Sequence, residues 1–131
     1  LLLPEAQTIF LAENYASEAV HSSLIEGETI RFETVLNSLL GKLDPEMRTE
    51  AESDRNAETT AELVLDATNS RERELSASLL LYWHRLLFEG LPKANRPEHV
   101  GQFRKGNIHV RVYDGKFNET VKYEAVPGSE V

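Results

Sequence analysis

Few residues in this chain have the type and spacing for chemistry, and the most suggestive are Ser22, Glu26 and Gly27 in Ser22-Ser23-Leu24-Ile25-Glu26-Gly27. On a helix, a step of four residues places Ser22 and Glu26 on one face. Gly27 follows at once, and glycine is the residue most easily set in the left-handed cap that ends a helix. Its missing side chain also leaves room for another group to approach the Glu26 carboxylate. A hydroxyl and a carboxylate shown together at a helix end suit a cationic partner, above all an arginine that can bond in a fork. The same string also reads as a solvated glutamate before a helix stop, because short motifs recur by chance. His21, His84, His99 and His109 are the other candidates, but no H-x-x-x-H or H-E-x-x-H spacing joins them and there is no cysteine. No metal site is therefore assigned.

The elements that must position Ser22 and Glu26 follow from periodicity. Pro4 suits a first helical turn, and Ile9, Phe10, Ala16, Ala19, Val20, Ser23 and Leu24 recur mostly at steps of three and four. They mark the buried face of a helix from about Glu5 to Glu26. Glu13 falls on the same face, at its edge or paired. A second amphipathic helix is expected from Thr29 to Leu40, stopped by Gly41. Asp44-Pro45-Glu46 reads as an N-cap with proline in the first turn. The stretch from Arg48 to Thr60 is almost wholly polar and reads as a mobile loop or a short solvated helix. Periodicity returns from Ala57 to Asp66, a third helix ending at Thr68-Asn69-Ser70. Ser76 reads as the N-cap of the most apolar helix, which carries Leu79, Leu80, Leu81, Tyr82, Trp83, Leu86, Leu87 and Phe88 and ends at Gly90-Leu91-Pro92. Apolar on more than one face, it is expected to be the central core helix. Trp83 and His84 are read as structural within it.

The last third changes period. Ile108, Val110 and Val112 alternate with His109, Arg111 and Tyr113, and Val121 and Tyr123 alternate with Lys122 and Glu124. These are two strands of a hairpin with a bulged or open tip, opened by the turn signal Asp114-Gly115. The edge of such a hairpin can add an extended peptide by backbone hydrogen bonds. The fold class expected is mainly α, four or five helices with one β-hairpin.

Composition limits the partners. The 131 residues suit one domain. A net charge of −8, from 14 Lys+Arg against 22 Asp+Glu, argues against a nucleic-acid backbone or an anionic membrane. No apolar run approaches a membrane span, and the lack of cysteine fits a reducing compartment, so a cytoplasmic location is expected. The start at Leu1-Leu2-Leu3 and the end at Gly128-Ser129-Glu130-Val131 suggest a fragment.

In their order, these pieces resemble the Fic family, enzymes that move a nucleotide monophosphate onto protein hydroxyls. Ala19 to Gly41 looks like the Fic-associated N-terminal region, and Ser22, Glu26 and Gly27 match its inhibitory pattern [S/T]-x-x-x-E-[G/N]. Leu81-Tyr82-Trp83-His84-Arg85-Leu86-Leu87-Phe88 is similar to the helix that opens the Fic core. Gly101-Gln102-Phe103-Arg104 is similar to the G-x-x-R turn before the family's flap hairpin. Val121-Lys122-Tyr123-Glu124-Ala125-Val126-Pro127 looks like the flap's end, with Val126 where the family tends to have a second proline. The catalytic signature H-x-F-x-[D/E]-G-N, followed by an arginine, does not occur in the chain. In the family it lies downstream of the flap.

The resemblance implies an incomplete Fic-type helical domain, the N-terminal part of a self-inhibited AMP-transferase acting on Ser, Thr or Tyr hydroxyls. It also implies two regions, 1–56 as a Fic-associated N-terminal region and 57–131 as the start of a Fic core. The complete family enzyme uses ATP and Mg²⁺; none is expected for this chain alone, which is predicted inactive. In the family reading the signature histidine takes the target hydroxyl's proton, the hydroxyl attacks the α-phosphate, and pyrophosphate leaves with Mg²⁺. Glu26 would be the brake, pairing with the arginine that otherwise holds the γ-phosphate, and Ser22 would help hold the inhibitory helix. Val110, Arg111, Val112, Tyr113, Val121, Lys122 and Tyr123 would form the flap that docks a protein substrate, and Arg104 would support the flap or lie near substrate. Two other readings stay open: an antitoxin-like module lending its inhibitory helix to a separate Fic protein, and a helical scaffold in which the string is coincidence. Apolar surface on the Ser76–Gly90 helix, left without further core helices, predicts a homodimer or a stabilising partner.

Overall fold

The computed structural model describes residues 4–49, 54–106, 111–113 and 121–130. The chain divides into two compact units, 1–100 and 101–131. The first is helical: α1 (Pro4–Ile25), α2 (Phe32–Leu43), α3 (Arg55–Asn69) and α4 (Ala77–Glu89). α1 packs on α2 and α3, α2 on α3, and α3 on α4. No described helix is long and apolar enough to cross a membrane.

The core of this unit is made of small side chains. Ala12, Ala16 and Ala19 of α1, Val35 and Leu39 of α2, and Ala57 and Ala61 of α3 are buried together, with Ile30, Phe32, Leu36 and Val64 around them. Alanine at these steps lets helix backbones approach closely and leaves the larger side chains to close the perimeter. This corrects the face expected for α1: Ala16 and Ala19 are inside, but Ile9, Phe10 and Leu24 are exposed, Phe10 by 60%. Glu13 is exposed as well.

α4 is not the central helix that its composition predicts. Leu86 is its one buried residue among those described, while Leu80 and Leu87 are about half exposed at 47% and 51%. Two side-chain hydrogen bonds tie it to α3. Glu58, Glu62 and Asp66 recur every four residues and so form one stripe along α3. Tyr82 donates to Glu62 at 2.6 Å and the Trp83 indole to Asp66 at 2.7 Å, both from α4. From the other side, Ser38 donates to Glu58 at 3.3 Å, Arg48 to the same carboxylate at 2.5 Å, and Lys42 lies 3.8 Å from Glu58 and 3.9 Å from Glu62. His84 is half-buried with its ring 4.8 Å from Phe88.

Local chemistry sets the helix ends. Asp54 accepts from the Ala57 N–H at 2.7 Å and starts α3, so the polar stretch read as loop or short helix contains the start of a long, packed helix. The boundary expected at 56/57 falls in its first turn. Ser76 caps α4 through the Leu79 N–H at 3.2 Å, and Asp44 caps a 3-10 turn at Pro45–Met47. α2 starts at Phe32 rather than Thr29 and runs through Gly41 to Leu43. Gly41 is there for closeness instead: a Cβ would lie 3.0 Å from the Arg48 side chain. Arg96 closes the end of α4 by donating to the Leu91 and Glu89 carbonyls at 2.7 and 2.8 Å. Buried Asn37 accepts from both the N–H and the hydroxyl of Thr49, pinning the turn after α2.

In the second unit, β1 (Arg111–Tyr113) pairs antiparallel with β2 (Val121–Glu124), with Arg111 opposite Glu124, Val112 opposite Tyr123, and a register irregularity between Val112 and Tyr113. Val110 and the expected hairpin tip, Asp114 to about Glu119, lie outside the described residues.

Candidate functional site

The last turn of α1 ends in a two-bond glycine cap. The Glu28 N–H donates to the Ser23 carbonyl at 2.8 Å and the Gly27 N–H to the Leu24 carbonyl at 3.0 Å, with Gly27 at φ +80°. This pair of bonds is the Schellman arrangement, which needs a left-handed residue where Gly27 stands. The turn fixes the backbone of Glu26 while leaving its side chain exposed. The Glu26 carboxylate makes no hydrogen bond or ion pair among the described residues. Ser22 is exposed, and its hydroxyl donates backwards to Glu18 at 3.3 Å rather than to Glu26. Ser22 and Glu26 thus share a face without bonding to each other.

Both lie on a groove of about 590 Å³ formed by the end of α1, the 28–30 segment, α3 and α4. Its lining includes Glu18, Glu26, Glu28 and Ile30 from α1 and the segment after it, Thr60, Leu63 and Val64 from α3, and Leu87 and Phe88 from α4. Among the described residues no lysine, arginine or histidine lines it. Sequence reasoning found Glu26 but missed the groove, since Leu63 and Leu87 lie on different helices and only packing brings them together. A triphosphate does not fit this lining: three carboxylates with no cation repel it. Among the described residues no group of three or more His, Asp or Glu is placed to hold a metal ion.

A second concavity, about 420 Å³, lies between α2, α3 and α4 and includes Lys42, Glu58, Glu62, Tyr82 and Arg85. Tyr82 is its perturbed group, its pKa pushed up to about 12. The cause is first its hydrogen bond to Glu62, then burial, then the negative charges of Glu62 and Asp66, with the nearby Arg85 acting the other way. Its polar groups are largely spent on one another, as in a structural network.

Within the second unit, Arg104 donates through Nη2 to the Val126 carbonyl at 3.0 Å, so it holds the segment just after β2. The chain closes tightly there: the Ser129 N–H donates to the Gly106 carbonyl at 2.8 Å, and a Cβ on Gly128 would lie 2.7 Å from the Arg104 and Lys105 backbone. Arg104, expected either to support the hairpin or to lie near substrate, is thus bonded to the backbone just after β2. Among the described residues its Nη1 is buried with no hydrogen-bond partner. Arg111 and Glu124 form a cross-strand ion pair at 3.1 Å, and Tyr123 is 59% exposed. The backbones of Val112, Tyr113, Val121 and Lys122 belong to the paired strands.

Comparison with models of protein families, with curated proteins and with solved structures gave no match.

Proposed function

We propose that this chain is the regulatory and target-docking part of a self-inhibited Fic-type AMP-transferase, with Glu26 as the brake. The observation that carries the reading is the Schellman-capped end of α1, where Glu26 stands exposed beside Ser22 and Gly27 and, among the described residues, unpaired. A brake residue needs this state: a carboxylate fixed through its backbone and not already spent on a neighbour. Ser22 supports it indirectly, since its bond to Glu18 engages the preceding turn of the same helix. The chain's own residues contribute an occluding carboxylate and a strand edge, while the transfer chemistry belongs to a signature that these 131 residues do not contain. On the other unit, the β1–β2 pair would add a target segment by backbone pairing and present its hydroxyl.

The antitoxin-like reading keeps the same Glu26 but gives no role to the Arg104–Val126 clasp and the paired strands. We therefore place it second. Reading the coding sequence beyond Val131 tests the choice. An H-x-F-x-[D/E]-G-N followed by arginine is expected, and a stop codon before any such motif would contradict it.

A further inference from the structure

The groove beside Glu26 has a mixed lining that the brake alone does not use. Its apolar part is unfinished: Leu87 is 51% exposed although it lines the concavity with Leu63, Val64 and Phe88. Glu18, Glu26 and Glu28, from the end of α1 and the segment after it, line the same groove beside Ala19 and Ile30, and among the described residues no cation lines it. A lining that joins apolar anchors with three acidic residues is complementary to an amphipathic helix with aliphatic residues at i, i+3, i+4 and i+7 and Lys or Arg along its border. An anionic occupant meets three like charges, and a wholly apolar one leaves the carboxylates to be desolvated without partners.

We propose that this groove docks a cationic amphipathic helix of a partner protein, its apolar side chains on Leu63, Leu87 and Phe88 and its cations on Glu18, Glu26 and Glu28. Docking there takes up the Glu26 carboxylate, so a helix in the groove and an arginine on the brake compete for one side chain. The inference stands on the groove's lining and does not require the transferase reading; a failure of one leaves the other to be judged by its own test.

The test is fluorescence anisotropy of the 131-residue chain with a labelled Leu/Lys peptide of about 15 residues, long enough to turn helical on binding. A second peptide of the same composition, with its leucines scattered around the helix, is the control. The patterned peptide is expected to bind about tenfold or more tightly than the scattered one, the difference made by placed anchors. Leu87→Asp should remove most of that advantage, and Glu26→Gln with Glu28→Gln should weaken binding about three- to tenfold, most at low salt. Leu87 is half exposed, so Leu87→Asp keeps the fold, and circular dichroism checks this; should it unfold, the glutamine pair decides alone. Equal binding of the two peptides, or binding unchanged in these variants, overturns the proposal, because the chain's net charge then explains the attraction. Self-association of the chain that Leu87→Asp abolishes, with no peptide bound, assigns the groove to a second copy and also overturns it. So does displacement of the peptide by a simple alkylamine at a comparable concentration, which assigns the groove to a small apolar cation.

Discussion

Glu26 and Tyr82 show how two polar residues in one small helical unit come to opposite uses. Tyr82 is committed: its hydroxyl is bound to Glu62 at 2.6 Å and its pKa is pushed up to about 12. A phenol is charged when deprotonated, so a folded-state value above the ordinary 10 means that the folded chain keeps this proton longer than the unfolded one. The stabilisation is full below the unfolded value and is lost as pH rises from there through the folded value. In a phenolate absorbance titration of the chain's four tyrosines, one should therefore titrate late, and Tyr82→Phe should remove the late component. A titration in which the wild type has no late component would break the Tyr82–Glu62 account. Glu26, in contrast, is held only by its backbone. Its candidacy was legible because Ser22, Glu26 and Gly27 are close in sequence and their geometry is local. The orientation of Ser22 towards Glu18 was not legible, since a helical serine can reach either neighbouring turn.

At the scale of elements, the Gly27 cap is the device that positions the candidate site. A Cβ added at Gly27 would meet nothing within 4 Å, so its φ of +80° is the whole cost of a side chain there. Gly27→Ala should lower stability by about 1–2 kcal/mol, the penalty of a left-handed L-residue, and Gly27→Asn should cost less. Equal thermal midpoints for wild type and Gly27→Ala would show that the cap does not persist in solution. Caps were the most readable part of the sequence: Gly27 and Ser76 act where their types predict, because a cap is a contact between near neighbours. What packs on what was less readable. Ala12, Ala57 and Ala61 carry little hydrophobic signal, so larger residues such as Phe10 and Leu24 seemed to mark the inner face of α1. The apolar composition of α4 stated that it buries something, not that α3 would hold it through Tyr82 and Trp83. The signal for that was present in Glu58, Glu62 and Asp66, whose spacing of four reads equally well as a solvated face until their partners are known.

At the scale of the molecule, the helical unit keeps exposed apolar side chains at Phe10, Leu24, Ile25, Leu80 and Leu87. Such surface favours association. The chain alone is expected to run as a dimer or larger species in light scattering coupled to gel filtration, with Leu80→Ser, outside the groove, shifting it towards monomer. A monodisperse monomer at high concentration would contradict that expectation. The regions expected from sequence were 1–56 and 57–131, whereas the compact units are 1–100 and 101–131. The placement of residues 57–100 with α1 and α2 depends on the buried alanines of α3, which long-range packing reveals and local pattern does not.

The central claim is that Glu26 restrains a transferase, and the most direct measurement is auto-AMPylation of the full-length protein with labelled ATP, wild type beside Glu26→Gly. A charge-assisted hydrogen bond is worth about 1.5–3 kcal/mol, so release of the brake should raise labelling by about ten- to a hundredfold. Equal labelling of wild type and Glu26→Gly, in a protein that carries the catalytic signature and folds normally, would contradict the account.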